Sequence, residues 1–190
     1  IRRLDRLGIA NRVLTVITAD HGEEFWDHGR YGHGHTLYQE LVHVPLILRG
    51  ETTINGRVNT LVSTIDIMPT LAEWTGVPQP LQWNGVSLLG SIQKRQDTEL
   101  SRFCFFQATN PYVHREPLLG VTDGRWKLIV GTTSRELYDL KLDPLEQTNI
   151  VQTRSEIMQH LEEKLNLHIQ DNPPITEGKK EDGDEMRRRL

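Results

Sequence analysis

The chain has 190 residues, 36% of them apolar and 25% charged, with a formal net charge of −4. That size admits one domain with a smaller second one. The 22 basic against 26 acidic side chains leave no basic surplus to neutralise a phosphate backbone, so nucleic acid is excluded as an expected partner. The apolar runs 13–17 and 44–48 fall far short of the roughly 20 residues that cross a bilayer, so no membrane span is expected. The lone Cys104 leaves no intrachain disulfide and no multi-Cys zinc site.

Residues 1–7 read as a charged amphipathic helix with leucines at positions 4 and 7. No start residue, targeting segment or cap precedes it, and the chain is expected to be a piece of something longer. Gly8 and Asn11 end that helix. Residues 13–18, β-branched and without polar alternation, predict a strand buried on both faces. Residues 19–35 hold four glycines, four histidines and four carboxylates with no periodicity, which predicts a loop longer than usual connections. A short helix follows over residues 38–42, then a second buried strand over 45–48 closed by Arg49-Gly50, and a third short strand over 60–62. From Ser63 or Thr64 as cap, Ile65, Met68, Leu71, Ala72 and Trp74 have helical spacing, and Gly76 with Pro78 stops it. This alternation predicts an α/β sheet covered on both faces.

The later part has a different texture. Strands are predicted over 103–107, 118–122, 125–130 and 136–140, the middle pair joined by Asp123-Gly124, a strong hairpin signal. Asp143-Pro144 makes a turn, and Ile157, Leu161, Leu165 and Ile169 line one face of a closing helix over 155–169. Asn110-Pro111 and Glu116-Pro117 interrupt regular structure and mark a boundary, so the predicted organisation is an α/β part over 1–110, a small antiparallel sheet with its helix over 111–170, and a charged solvated tail over 171–190.

The chemistry concentrates between positions 20 and 35. Asp20-His21-Gly22 follows the end of a predicted strand, where open α/β sheets bind their ligands. Neighbouring strand side chains point apart, so Asp20 and His21 can grip one ion only if the backbone turns after Asp20, a turn that Gly22 permits. A hard oxygen beside an imidazole nitrogen suits Zn²⁺ or Mn²⁺ and tolerates Ca²⁺ or Mg²⁺ less often; further ligands must come from elsewhere. His28, His33 and His35 crowd the same segment beside glycines that let a small anion approach, a pattern fit for general-acid and anion-binding roles or for a merely solvated loop. Glu23 and Glu24 are expected as hydrated carboxylates or as partners of His21 or His28. Asp66 is assigned to the first turn of its helix, and Tyr38, Trp74, Trp83 and Trp126 to packing. Cys104, among apolar neighbours, reads as a buried strand thiol.

Three ordered segments resemble the later half of sulfatases in the alkaline phosphatase superfamily: Thr18-Ala19-Asp20-His21-Gly22-Glu23, then Gly32-His33-Gly34-His35-Thr36-Leu37-Tyr38-Gln39-Glu40 running on to Val44-Pro45-Leu46-Ile47, then Asp66-Ile67-Met68-Pro69-Thr70-Leu71. Leu137-Tyr138-Asp139-Leu140 with Asp143-Pro144-Leu145-Glu146 is similar to the strand and turn of that family's small C-terminal subdomain. The resemblance implies the C-terminal part of an alkaline-phosphatase-like three-layer sheet domain plus a small antiparallel α+β subdomain. It implies a metal-dependent hydrolase of sulfuric esters, in which formylglycine, made from a Cys or Ser in a missing N-terminal half, attacks sulfur. One divalent cation, Ca²⁺ first and Mn²⁺ or Zn²⁺ as alternatives, would be held by Asp20 and His21 as its second pair of ligands. Where many sulfatases place a sulfate-contacting Lys, this chain has Gly34, so His33 or His35 is expected to contact the anion or protonate the leaving oxygen. A periplasmic or extracellular location follows from the resemblance alone. His21, where Asn is common, resembles the related phosphonate monoester and phosphodiester hydrolases, which stand as the alternative activity. A non-catalytic metal- or anion-binding module is the alternative from another class. Cys104 lacks the Pro and Arg of the family's Cys/Ser-x-Pro-x-Arg motif, so this segment alone is expected to be inactive.

Overall fold

Residues 13–18 and 45–48 lack the alternation that would mark one wet face, yet among the described residues each has only the other as a strand partner. In the computed structural model, which describes residues 2–51, 55–78, 83–94, 102–108 and 117–173, helix α1 (Arg2–Arg6) leads into strand β1 (Thr15–Thr18), strands β2 (Glu24–Phe25) and β3 (Tyr31–Gly32), helix α2 (Gln39–Val42) and strand β4 (Leu46–Arg49). β1 and β4 pair antiparallel, Thr15 opposite Arg49 and Thr18 opposite Leu46, as a two-stranded ribbon. Ile17 and Ile47, cross-strand partners, are exposed, which corrects the expectation of strands buried on both faces. A two-stranded ribbon cannot cover its own faces, whatever its composition. The expected loop over 19–35 also needs correction, because β2 and β3 form a miniature antiparallel hairpin inside it.

The expected strand over 60–62 does not form. Val62 offers its carbonyl to the Cys104 thiol at 3.7 Å, and the chain then enters a capping box between Ser63 and Asp66. A single 3₁₀ turn, Thr64–Asp66, runs into helix α3 (Ile67–Thr75), which ends on Gly76 at φ 71 with the Val77 amide returned to the Ala72 carbonyl, a left-handed cap that glycine adopts without steric cost. Asp66 does more than complement a helix dipole. Fully buried, its carboxylate accepts the Ser63 and Val86 amides and hydrogen bonds from the two terminal nitrogens of the Arg102 guanidinium at 2.7 and 3.1 Å. Helix α4 (Leu89–Lys94) packs nearby through Leu88, whose amide bonds the Thr70 hydroxyl.

Strands β5 (Cys104–Ala108), β6 (Leu118–Thr122), β7 (Trp126–Val130) and β8 (Arg135–Asp139) form an antiparallel sheet in chain order; the last three are the strands expected there, and β5, expected in the α/β part, joins them by pairing with β6. The β6–β7 connection is Asp123-Gly124-Arg125, one residue longer than the two-residue hairpin that Asp123-Gly124 predicts, with Gly124 at φ 95. Helix α5 (Ser155–Asp171) lays Leu161 and Leu165 on Val121, Leu128 and Leu137, three residues in cross-strand register. One step along each strand the side chains point the other way. There Ile129 and Tyr138 pack with Leu37, Tyr38 and Val42, so the second face of the sheet rests on the segment that carries the histidines. Cys104 is buried in β5, and its burial pushes the thiol pKa up, as suits an inert strand residue. Of the boundary expected near 109–117, residues 109–116 lie outside the described residues, as does the tail beyond 173. No helix among the described residues is long and apolar enough to cross a membrane.

On that inner face Lys127 of β7 is fully buried with its ammonium 2.8 Å from Glu146 Oε1, a close ion pair rather than an aligned hydrogen bond. The other Glu146 oxygen accepts the Gln39 amide at 2.6 Å at the start of α2. Burial pushes Lys127 down and Glu146 up, and each is opposed by the charge of the other. Removing one member leaves an uncompensated charge in the interior, so Lys127→Met is expected to cost about 3–5 kcal/mol, whereas Lys127→Met with Glu146→Leu recovers most of the loss. Urea unfolding of the three proteins measures this directly, and equal destabilisation by single and double variants would exclude the pair as the reason.

Candidate active site

β1 ends at Thr18, and the backbone turns so that Asp20 and His21 meet: Asp20 Oδ2 lies 3.7 Å from His21 Nε2. The turn does not depend on a left-handed glycine. Gly22 has no positive φ, but a Cβ there would lie 1.8 Å from the Glu40 carbonyl oxygen. Glycine is required because the backbone packs directly on α2, with the Gly22 amide bonded to the Leu41 carbonyl at 2.8 Å. The His21 Nδ1–H donates to the Gly22 carbonyl at 2.7 Å, so that in the neutral tautomer Nε2, which faces the carboxylate, is the acceptor nitrogen. The backbone N–H groups of Asp20 and His21 hold the Asp20 carboxyl below its ordinary pKa.

His33 arrives from the other end of the hairpin. Its ring stacks on His21 with centroids 4.1 Å apart, and its Nδ1 donates to Glu23 at 3.2 Å. Asp20, His21, His33 and Glu23 thus form one open cluster. His35 is not part of it. Gly32 and Gly34, at φ 95 and 80, turn the chain on either side of His33, so that His33 remains 53% exposed while His35, at 9%, points inward. There His35 Nε2 donates to Glu24 Oε2 at 3.0 Å, and Thr36 donates to the same oxygen. Glu24 Oε1 accepts the amides of His28 and Arg30. The expectation of a hydrated Glu24 is therefore corrected: the residue is completely buried and organises the loop around itself. Glu23, expected near His21 or His28, pairs with His33. Sequence spacing could not distinguish two adjacent carboxylates; the two-residue period of the small hairpin does, sending one outward and the other inward.

Behind this layer His28 stacks on Tyr38 at 3.7 Å, with Nδ1 2.6 Å from Glu40 and Nε2 3.2 Å from the Glu146 carbonyl. Tyr38 and Tyr138 both donate to Glu136 Oε2 at 2.7 Å. Tyr38 thus packs as expected, and it links the histidine segment to the small sheet. Among the described residues no three His, Cys, Asp or Glu side chains converge on one cation position, so Asp20 and His21 could offer an ion two donors at most.

The family described as N-sulphoglucosamine sulphohydrolase, C-terminal, matches residues 26–171. The chain belongs to the sulfatase family. It corresponds to that family's C-terminal portion, and it spans about a third of the length of the curated relatives it matches. Arylsulfatase K of Rattus norvegicus is 31% identical over 178 residues, covering 87% of this chain and 31% of the relative. Among solved structures, a 2-O GAG sulfatase superposes with a TM-score of 0.77 at 25% identity over 85% of this chain and 37% of its own. The phosphonate monoester hydrolase of Agrobacterium radiobacter superposes at 0.73, also 25% identical, over 87% of this chain and 36% of its own. The neighbours share the alkaline-phosphatase-like fold, and the sulfatase portion described here is mixed α/β with antiparallel sheets.

His28 supplies a pH test of the layer behind the site. Burial disfavours its charged form, but the Glu40 bond, the Glu146 carbonyl and the two carboxylate charges outweigh that, and its pKa is raised from 6.5. A raised folded-state pKa contributes stability that is fully present below the unfolded value and is lost as pH rises through the folded one. The stability advantage of the native chain over His28→Gln is therefore expected to be largest below about pH 6.5 and to shrink above it, measured as unfolding midpoints between pH 5.5 and 8.5. A constant difference across that range would remove the charge from the account.

Proposed function

We propose that this segment supplies the anion-handling half of a metal-dependent sulfuric ester hydrolase. The observation that carries the reading is the convergence of Asp20, His21 and His33 on one open face at the end of β1. Asp20 Oδ2 and His21 Nε2 are two acceptors facing each other, a donor pair that suits a divalent cation as part of a larger ligand set. Ca²⁺ is the first candidate, with Mn²⁺ and Zn²⁺ behind it, and such an ion, when bound, supplies positive charge to the ester's anionic oxygens. His33, with Nδ1 turned to Glu23, presents Nε2 to an ester oxygen, either as a contact to the anion or as the acid that protonates the leaving group. His35 is a positioning residue, because its ring is committed to Glu24 and fixes the turn that projects His33. Cys104 is buried with a raised pKa, so the nucleophile, formylglycine by family likeness, comes from outside this segment, in an N-terminal half of the same fold. An extracellular or periplasmic site of action accords with that family likeness.

A second reading, hydrolysis of phosphonate monoesters or phosphodiesters, is favoured by the imidazole of His21 in the donor pair and by the likeness to the Agrobacterium enzyme. In the full-length protein, Asp20→Ala and His33→Ala are each expected to lower 4-nitrophenyl sulfate turnover by about 10²–10³-fold, and a chelator should abolish turnover until Ca²⁺ is returned. Full activity in Asp20→Ala would refute the metal role. Faster turnover of a phosphate diester than of the sulfate would select the second reading.

A further inference from the structure

Glu146 is more committed than an ion pair with Lys127 requires. It adopts φ 54, a left-handed backbone that a residue with a side chain enters only against steric resistance. The surrounding turn imposes that conformation. The Asp143 carbonyl accepts the Glu146 amide at 3.1 Å, and the Asp143 carboxylate accepts the amides of Gln147 and Thr148 at 3.1 and 2.8 Å. A glycine would take this turn without strain, but it would carry no carboxylate. Here the carboxylate is kept, 1% exposed, and both it and the residue's own carbonyl are used on the histidine segment.

Both reach the start of α2. The side chain does so directly: Oε2 accepts the Gln39 amide at 2.6 Å, while Lys127, its charge partner, donates to the Gln39 side-chain oxygen at 3.4 Å. The carbonyl does so through His28, whose Nε2 lies 3.2 Å from it and whose Nδ1 lies 2.6 Å from the Glu40 carboxylate. Four residues make one helical turn, too short to hold its place by its own hydrogen bonds. The other end of α2 holds the site. The Leu41 carbonyl accepts the Gly22 amide at 2.8 Å, and the Glu40 carbonyl occupies the space that a side chain on Gly22 would need. Gly22 in turn accepts the His21 Nδ1–H on its own carbonyl. An unbroken series of contacts therefore runs from Glu146 through α2 and Gly22 to the His21 ring.

We infer that Glu146 is a positioning residue for ester hydrolysis: by holding α2, it fixes where Gly22 sets the His21 ring beside Asp20. The consequence for turnover rests on the hydrolase reading above; the mechanical link rests on the hydrogen bonds alone. Positioning and stability make different demands on the same side chain. Charge balance requires Lys127 and Glu146 to be present or absent together. Positioning requires an acceptor for the Gln39 amide, whatever its charge. Glutamine keeps that acceptor and leucine does not.

The test compares two doubly substituted full-length proteins, both without the buried charges: Lys127→Met with Glu146→Gln, and Lys127→Met with Glu146→Leu. A third variant, Gln39→Pro, removes the donor instead. It does so at the first position of α2, where proline is tolerated, and after Tyr38, whose ψ of 165 suits a following proline. The His21 ring resonances are followed by NMR with isotope-labelled histidine, beside 4-nitrophenyl sulfate turnover and urea unfolding. The glutamine variant is expected to keep the native His21 resonances and most of the turnover. The leucine variant and Gln39→Pro are each expected to displace those resonances and to lower turnover about tenfold. Equal resonances and turnover in the glutamine and leucine variants would overturn the inference, as would an unmoved His21 in Gln39→Pro. If the leucine variant does not fold, Gln39→Pro decides alone. A displaced His21 in a protein whose Asp20→Ala variant keeps full turnover would retain the link and refute the hydrolase reading. An unmoved His21, with turnover lost in Asp20→Ala, would refute the link and leave that reading standing.

Discussion

One buried carboxylate shapes the whole candidate site. Glu24 takes the His28 and Arg30 amides on one oxygen and the His35 ring and Thr36 hydroxyl on the other. A carboxylate without water is costly unless its lone pairs are occupied, and here both oxygens have donors from a segment of only thirteen residues. The contacts curl that segment around the Glu24 side chain. Because β2 alternates, sending Glu24 inward sends Glu23 and Phe25 outward, and the glycines flanking His33 let its ring join His21 while His35 stays inside.

The platform so formed leans on the small sheet. Lys127 reaches from β7 to Glu146, Glu146 holds the amide at the start of α2, and His28 spans from Glu40 to the Glu146 carbonyl. Tyr38 and Tyr138 share one carboxylate oxygen across the same contact. Apart from the Lys127–Glu146 pair, which ties β7 to the turn after β8, these links join the histidine segment to β8 or that turn, elements distant in sequence. The C-terminal sheet is therefore the support on which the histidine loop is built, and its second, less apolar face is where that support acts.

The division of labour among neighbouring residues follows. Asp20, His21 and His33 face solvent and can meet a charged ligand; Glu24, His35 and His28 face inward and set where the others stand. Ile17 and Ile47, on β1 and β4, are exposed as well, and the chain spans about a third of the length of the curated relatives it matches.

Local chemistry was legible in the sequence wherever it depended on nearest neighbours. The four-residue spacing of Ile157, Leu161, Leu165 and Ile169 marks α5, Gly76 ends α3, and Asp123-Gly124 marks a hairpin. The roles of Glu23 and Glu24, the separation of His33 from His35, and the burial of Lys127 against Glu146 were not legible. They depend on which face of a two-residue strand meets a sheet formed a hundred residues later, and no local pattern encodes that. The reason for Gly22 belongs with them: the sequence marks a glycine at a turn, and only the packed α2 carbonyl shows that the constraint is space rather than dihedral freedom. Residue types set which chemistry the chain can perform, and tertiary contacts, by deciding which polar groups lose water, set which residues remain free to perform it.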